Sequence, residues 1–439
     1  MRQFTCIQKG KGLETNMNNH FGQMLTRLFH GSSLVLPAFL VTVSAGLAQD
    51  LPPVLTDVTH IAVPAGGQAQ EPSLAADSSS LVMSWLDTER ATTKVQFARL
   101  TEDAWSQPVT VAEGDDLFVN WADFPGITTF DNTGVAVHWL RKSGRSGFDY
   151  NVEIAMSKDG GKTWAEPIVP HSDRSQVQHG FVALTAAPDQ TLDVLWLDGR
   201  AYGRVGFTEE PDAMQLRATR INLDASRSKD VAVDLQTCSC CQTSAARLND
   251  GTLVVAYRDR SDAEVRDVAI VRHANGAWSK PAIVHHDGWE IAGCPVNGPA
   301  VATHEQTVTV VWFTGAEDVA AVKLAVSTDG GATFGQPQRI DTGAPLGRVD
   351  AAMLADGTVL VTWLEWDGDD EVLQICRATA AQGCVSRQTL ARNAEAGSMN
   401  FPRMAVLNTE VFIAWTQPTS QSESTIALLR GTVAKADPN

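Results

Sequence analysis

Short runs of alternating apolar and polar residues recur along the chain, and seven of them end on a large aromatic ring. They are Leu81–Trp85, Val135–Trp139, Leu192–Trp196, Leu253–Tyr257, Val308–Trp312, Val359–Trp363 and Val411–Trp415, with terminal aromatics 51 to 61 residues apart. A short strand of small residues precedes each one: 72–76, 124–128, 181–185, 243–247, 298–302, 349–353 and 402–406. A polar loop and a third alternating strand follow, as at 94–100, 152–157, 268–273 and 322–327. Period-two alternation over four to eight residues predicts half-buried strands. Four short strands in a unit of fixed length predict an all-β protein, a single β-propeller of four-stranded blades. A pair of β-sandwiches does not explain one constant period. The count is seven blades. The seventh unit ends near Thr432 without a fourth strand, and 57–63 is placed to supply it and close the ring.

The turn between third and fourth strands is most explicit at Ser157-Lys158-Asp159-Gly160-Gly161-Lys162-Thr163-Trp164 and at Ser327-Thr328-Asp329-Gly330-Gly331-Ala332-Thr333-Phe334. Asp accepts nearby backbone N–H groups, and glycine supplies the positive φ that closes the turn. Trp105-Ser106-Gln107-Pro108 and Trp278-Ser279-Lys280-Pro281 keep the aromatic-to-proline ending without the acidic turn. The motif resembles the Asp-box, or BNR repeat, of sialidases and other Asp-box β-propellers. The resemblance implies a propeller, six-bladed in sialidases (the alternative to seven here), and an exo-sialidase-type glycoside hydrolase activity. Sialidases hold the substrate carboxylate with three arginines, attack with a tyrosine activated by a glutamate, and use an aspartate as acid/base. Their first arginine lies in an Arg-Ile-Pro motif, where this chain has Gln70-Glu71-Pro72-Ser73. Their nucleophile comes late, whereas the only tyrosines here are Tyr150, Tyr202 and Tyr257. The hairpin is shared; the catalytic pattern is not.

The first 48 residues read as a leader with an over-extended start before Met24. A basic start (Arg27), an apolar run from Leu34 to Val43, and small residues at Gly46 and Ala48 suit a signal-peptidase cut after Ala48. The run is too short for a membrane span. The propeller then covers 49–439, and the protein is expected to be exported, periplasmic or secreted. Net charge is −17 for the whole chain, and the leader is itself basic, so the remainder is more acidic still. Such a surface excludes nucleic acid and anionic membranes as general partners. It leaves room for a local basic pocket, for a glycan or small anionic ligand, or for a partner protein.

In a propeller, loops between second and third strands gather on the face opposite the Asp-box turns. Two stretches there concentrate charge: Asp198, Arg200 and Tyr202, and Arg258, Asp259 and Arg260. Acid and arginine in one loop can bind a carboxylate or sulfate by bidentate contacts, or form an ion-pair network that fixes the loops. The ligand-binding candidates are Arg200, Tyr202, Arg258, Arg260, Arg348, Arg403 and Asn297, with Asp198 or Asp259 as the acid of a hydrolase. A non-catalytic binding propeller is the competing class, since a fold hosts either.

Of the seven cysteines, Cys6 lies in the leader. Cys376 and Cys384 bracket one hairpin, which predicts a disulfide in an exported protein. Cys238, Cys240, Cys241 and Cys294 fall at matching repeat positions and should cluster between adjacent blades. Export favours disulfides among them. The alternative is a thiolate site for copper or zinc, with His285 and His286 near in sequence.

Overall fold

The computed structural model describes residues 52–130, 133–202, 211–394, 398–420 and 423–435. The leader assigned to 1–48 lies outside them. Pro52–Asn439 forms one compact unit of seven antiparallel sheets, a seven-bladed β-propeller. The only helix among the described residues is a single 3-10 turn, Ala316–Asp318. No helix among them is long and apolar enough to cross a membrane.

Each aromatic-ended run is the second strand of a blade, from Ser80–Glu89 in blade 1 to Glu410–Pro418 in blade 7. The seven aromatics do one job seven times. Seven apolar clusters occupy the seams between blades, and each contains one of these rings packed against the preceding blade. Trp139 packs on Val82 and Phe97 of blade 1, and Trp85 on Phe412 and Ile426 of blade 7. Seven seams for seven blades make a closed ring. Burial of a ring this size dominates the local energetics, and its polar tip needs a partner. Trp196, Trp363 and Trp415 find one two residues on, at Asp198 (2.7 Å), Glu365 (2.9 Å) and Gln417 (3.0 Å).

The chain ends meet in blade 7. Leu55–His60 pairs antiparallel with Ser424–Val433, Leu55 opposite Val433 and His60 opposite Leu429, with the register broken between Thr56 and Thr59. This outer strand begins two residues earlier than the sequence suggests.

Both Ser-x-Asp-x-Gly turns have the same internal wiring. The Ser157 hydroxyl donates to Asp159 (2.8 Å) and accepts from Gly161 N–H (2.9 Å), while Asp159 accepts Thr163 N–H (2.9 Å). Ser327, Asp329, Gly331 and Thr333 repeat this at 2.6, 2.9 and 2.9 Å. Gly160 N–H and Gly330 N–H also bond the first-to-second strand turns of their own blades, at Thr133 O and Gln306 O. Both turns therefore lie on the face opposite the second-to-third strand loops. The fourth strand that should follow is reduced. In blade 2 it is a single bridge, Ile154 to Ile168, and in blade 5 two residues, Gln338–Arg339. The proline three residues past each aromatic, Pro167 and Pro337, removes a ladder donor there.

Candidate functional site

First strands line the central channel, and their leading residues gather where blades 1, 2, 3, 4 and 7 converge. A cavity of about 120 Å³ lies there, lined by Asp123, Phe124, His138, Phe181, Gln242, Thr243 and Arg403 among others. Asp123 is buried beneath it. Its carboxylate accepts the Tyr150 hydroxyl (2.7 Å) and Phe181 N–H (2.7 Å). Burial outweighs those bonds and pushes its pKa up to about 7. His138 is buried too; burial pushes its pKa down to about 3, so the ring is uncharged at neutral pH. Its Nε2 meets Phe124 O at 3.2 Å, and its Nδ1 has no partner.

Beside this cavity stands an aromatic cluster that carries two arginines. Phe401 stacks on Trp121 (6.0 Å between centroids) and meets Phe124 at 5.3 Å. The Arg348 guanidinium lies 5.0 Å from the Trp121 ring and 5.8 Å from Phe401, and Arg403 lies 5.9 Å from Phe124. These are cation–π distances. Arg348 is held by Ser398 and by Glu371 (3.4 Å), and Arg403 approaches Asp350 at 3.6 Å. Burial draws the Arg348 guanidinium below the ordinary arginine range.

Glu71 completes the group. It is fully buried, accepts Asn400 Nδ2 at 2.7 Å across 329 residues of chain, and senses the Arg348 charge. Burial pushes its pKa up to about 8. Glu71, Phe181, Arg348 and Asn400 all have positive φ, between 52° and 57°. Left-handed backbone at bulky residues is uncommon, and here it recurs at the inner-strand leads of four blades.

The other candidates fall into separate places. Asp198 is completely buried. It accepts Trp196 Nε1, Arg200 Nε (2.8 Å) and Arg200 Nη2 (2.7 Å), and it approaches His179 at 3.7 Å. Burial would raise its pKa, but the hydrogen bonds and charge of Arg200, with His179 and Trp196, hold it below the usual carboxylate range. Arg200 also pairs with Asp230 at 2.8 Å. This pair anchors the Trp196 seam. Arg258 is 2% exposed and donates to Asn297 O, Arg266 O and Phe313 O at 2.6 to 2.9 Å while lying 4.9 Å from the Trp289 ring. Asn297 in turn accepts Arg348 N–H at 2.8 Å. Arg258 and Asn297 thus brace the loop that presents Arg348. Arg260 pairs with Glu264 at 2.6 Å. Asp259 is half-buried beside Asp234 and Asp267; burial first, then those charges, pushes its pKa up to about 6. Tyr202 is half-buried, and its phenol hydrogen-bonds Ser239.

Cys376 and Cys384 are joined in a disulfide, Cα atoms 5.8 Å apart. Cys238, Cys240, Cys241 and Cys294 are free thiols and lie together. Cys238 Sγ is 3.0 Å from Cys241 Sγ and 4.0 Å from Cys240 Sγ, and Cys294 hydrogen-bonds Cys240. Burial raises the Cys240 and Cys241 thiols, whereas bonds from both neighbours and the Arg266 charge overcome burial at Cys238 and lower it. His285 is turned away, bonded to Asp287 at 2.8 Å.

Of this group the sequence singles out Arg348 and Arg403 by their charge, but not Glu71, Trp121, Asp123, Phe124 or Phe401. Trp-x-Asp, Trp-x-Glu and Trp-x-Gln at 196–198, 363–365 and 415–417 each place an indole acceptor two residues on, whereas Asp87, at the same spacing from Trp85, accepts Gly66 N–H instead.

No family model matches the chain, and no curated protein matches it. Solved structures do. An ulvan lyase bound to GlcA(1-4)Rha3S aligns over 84% of this chain and 95% of its own, at 9% identity and a TM-score of 0.56. The polysaccharide lyase Uly1 aligns over 83% and 90%, at 8% identity and 0.50. The NanB sialidase of Streptococcus pneumoniae aligns over 81% and 83%, at 10% identity and 0.48. At these identities the likeness is one of fold: the chain is a β-propeller whose structural neighbours include polysaccharide lyases and sialidases.

Proposed function

We propose that the protein binds an acidic glycan at the centre of the ring. The observation that carries this reading is the pair Arg348 and Arg403 set against Trp121, Phe124 and Phe401 beside a polar cavity. A sugar ring stacks on aromatic faces, and a uronate carboxylate or sulfate pairs with guanidinium. The buried, unpartnered His138 Nδ1 on the cavity wall can take a further hydrogen bond. Lyase neighbours of the same fold, one with a uronate-containing saccharide bound, support the choice of ligand class. Titration calorimetry with uronate-containing and sulfated oligosaccharides, against size-matched neutral ones, tests it. Acidic ligands should bind, and Arg403→Ala should weaken them at least tenfold with no change in melting temperature. Equal binding of neutral and acidic ligands, or none at millimolar concentration, would refute it.

A second reading adds catalysis at this site. Glu71 and Asp123 keep their protons to about pH 8 and 7, so either can act as an acid in neutral solution. Cleavage of an acidic glycan by hydrolysis or elimination, lost in Asp123→Asn with binding intact, is its expected sign. The sialidase-like alternative uses Asp259 instead: sialoside hydrolysis lost in Asp259→Ala but kept in Asp123→Asn would select it. Both readings fit an exported protein, and N-terminal sequencing of the mature chain, expected to begin at Gln49, checks export.

A further inference from the structure

We infer that Cys238, Cys240 and Cys241 form a three-thiolate site for monovalent copper, separate from the residues that would hold the glycan. Neighbouring residues such as Cys240 and Cys241 ordinarily direct their side chains apart. Here a tight bend brings three sulfurs within 4.8 Å of one another. A soft ion about 2.3 Å from each of three coplanar sulfurs sets them about 4 Å apart, so the 3.0 and 4.0 Å separations need to adjust by only about an ångström.

The surroundings select the ion. The three thiols are 0%, 2% and 1% exposed, in an apolar cluster with Phe181, Leu197, Met214 and Tyr257. Thiolates favour copper(I) or zinc among the common ions. Zinc requires four ligands. With three thiolates it would need a water, at sulfurs that are closed to solvent, or it would need Cys294, which is only half-buried and whose sulfur does not lie within 4.8 Å of all the other three. Copper(I) is satisfied by three soft donors. As three S–Cu bonds form, three thiol protons leave to solvent, and the centre acquires two negative charges. Arg266 offsets one: its Nη1 lies 3.4 Å from Cys238 Sγ, and Glu264 fixes it at 2.6 Å. Such outer partners orient ligands and tune a centre.

The site also has a structural consequence. Gln242 follows Cys241, lines the central cavity, donates to Ala122 O at 2.5 Å and accepts Gly298 N–H at 3.1 Å. A β-carbon at Gly298 would lie 2.0 Å from Gln242 O, so the leads of blades 4 and 5 are in backbone contact. A metal there would fasten the cavity wall.

The test uses the full chain, reduced and handled without oxygen, offered copper(I) or zinc(II), desalted and challenged with a copper(I) chelator. The expected result is one copper per chain, three sulfur neighbours by X-ray absorption, retention in Cys294→Ser, and at least a tenfold loss of retention in Cys240→Ser. X-ray absorption on the unsubstituted protein does not depend on any variant folding. Disulfides among the four cysteines in unreduced peptides of the isolated protein, preferential retention of zinc with four sulfurs, loss of copper in Cys294→Ser, or no retained metal would each overturn the assignment.

Discussion

The two Ser-x-Asp-x-Gly turns and the inner-strand leads are both polar, and they satisfy their polar groups in opposite ways. At Ser157–Trp164 the hydrogen-bond partners of the serine, aspartate and threonine side chains lie within the same eight residues. At the leads, Glu71 depends on Asn400 and Asp123 on Tyr150 and Phe181, and Arg258, at the end of the second strand of blade 4, reaches Asn297 in the lead of blade 5 and Phe313. Local wiring forms as soon as the turn forms and survives in solvent. Non-local wiring exists only when the ring is assembled, and it is buried, so each broken bond there costs more.

The sharpest way to break the comparison is Arg258→Met. It removes the donors to three buried carbonyls, at about 1 to 3 kcal/mol for each group left unsatisfied, and denaturant titration should show the largest loss of any substitution considered. A loss no greater than that of a turn mutant would mean that the brace is dispensable. The second test sets the turns against each other. Gly161→Ala and Gly331→Ala impose the same strain, with φ of 88° and 81°. A β-carbon at Gly161 would lie 2.0 Å from the Phe97 ring, whereas the nearest atoms to one at Gly331 are 3.6 Å away. Thermal melting should therefore drop further for Gly161→Ala.

The third test is pH. Glu71 and Asp123 ionise at about 8 and 7 when folded, against 4.5 and 3.8 ordinarily. Between those limits the folded protein holds protons that the unfolded chain has lost, so their contribution is full at low pH and declines as pH rises towards 7 and 8. Buried neutral His138 works in the opposite direction, but only between about 3 and 6.5. From pH 6.5 to 8 the melting temperature should fall, and Glu71→Gln should flatten that slope. The smallest effect is expected at Asp159→Asn. Its exposed carboxyl is held down to about 2 by Thr163 and Ser157, and melting at neutral pH should fall by less than in either glycine variant.

The same contrast explains what could be read in advance. The Trp-ended strands, the blade number and the closing strand follow from periodicity, because every seam repeats one packing solution. The Cys376–Cys384 hairpin is likewise local. The central site was only partly legible. Arg348 and Arg403 drew notice by charge, but nothing in the neighbourhood of Glu71 or Asp123 announces a partner 329 or 58 residues away. Asp198 and Arg258 looked reactive because acid and arginine are adjacent in sequence. Their neighbours in space, an indole and three carbonyls, make them braces.

The pairing of Leu55 with Val433 has a consequence for synthesis. Strand 55–60 is made before the rest of blade 7, so while the chain emerges it has no partner strand, and the Trp85 seam has no blade 7 to pack against. Closing so long a loop costs little more entropy than closing one half its length, but it comes late. Until blade 7 is complete the ring is an open arc, and its first and last blades each lack one packing partner. Moving the strand 55–60 from the start of the chain to its end would let blade 7 finish as a simple meander, and such a permuted chain should reach the same ring with fewer aggregated by-products.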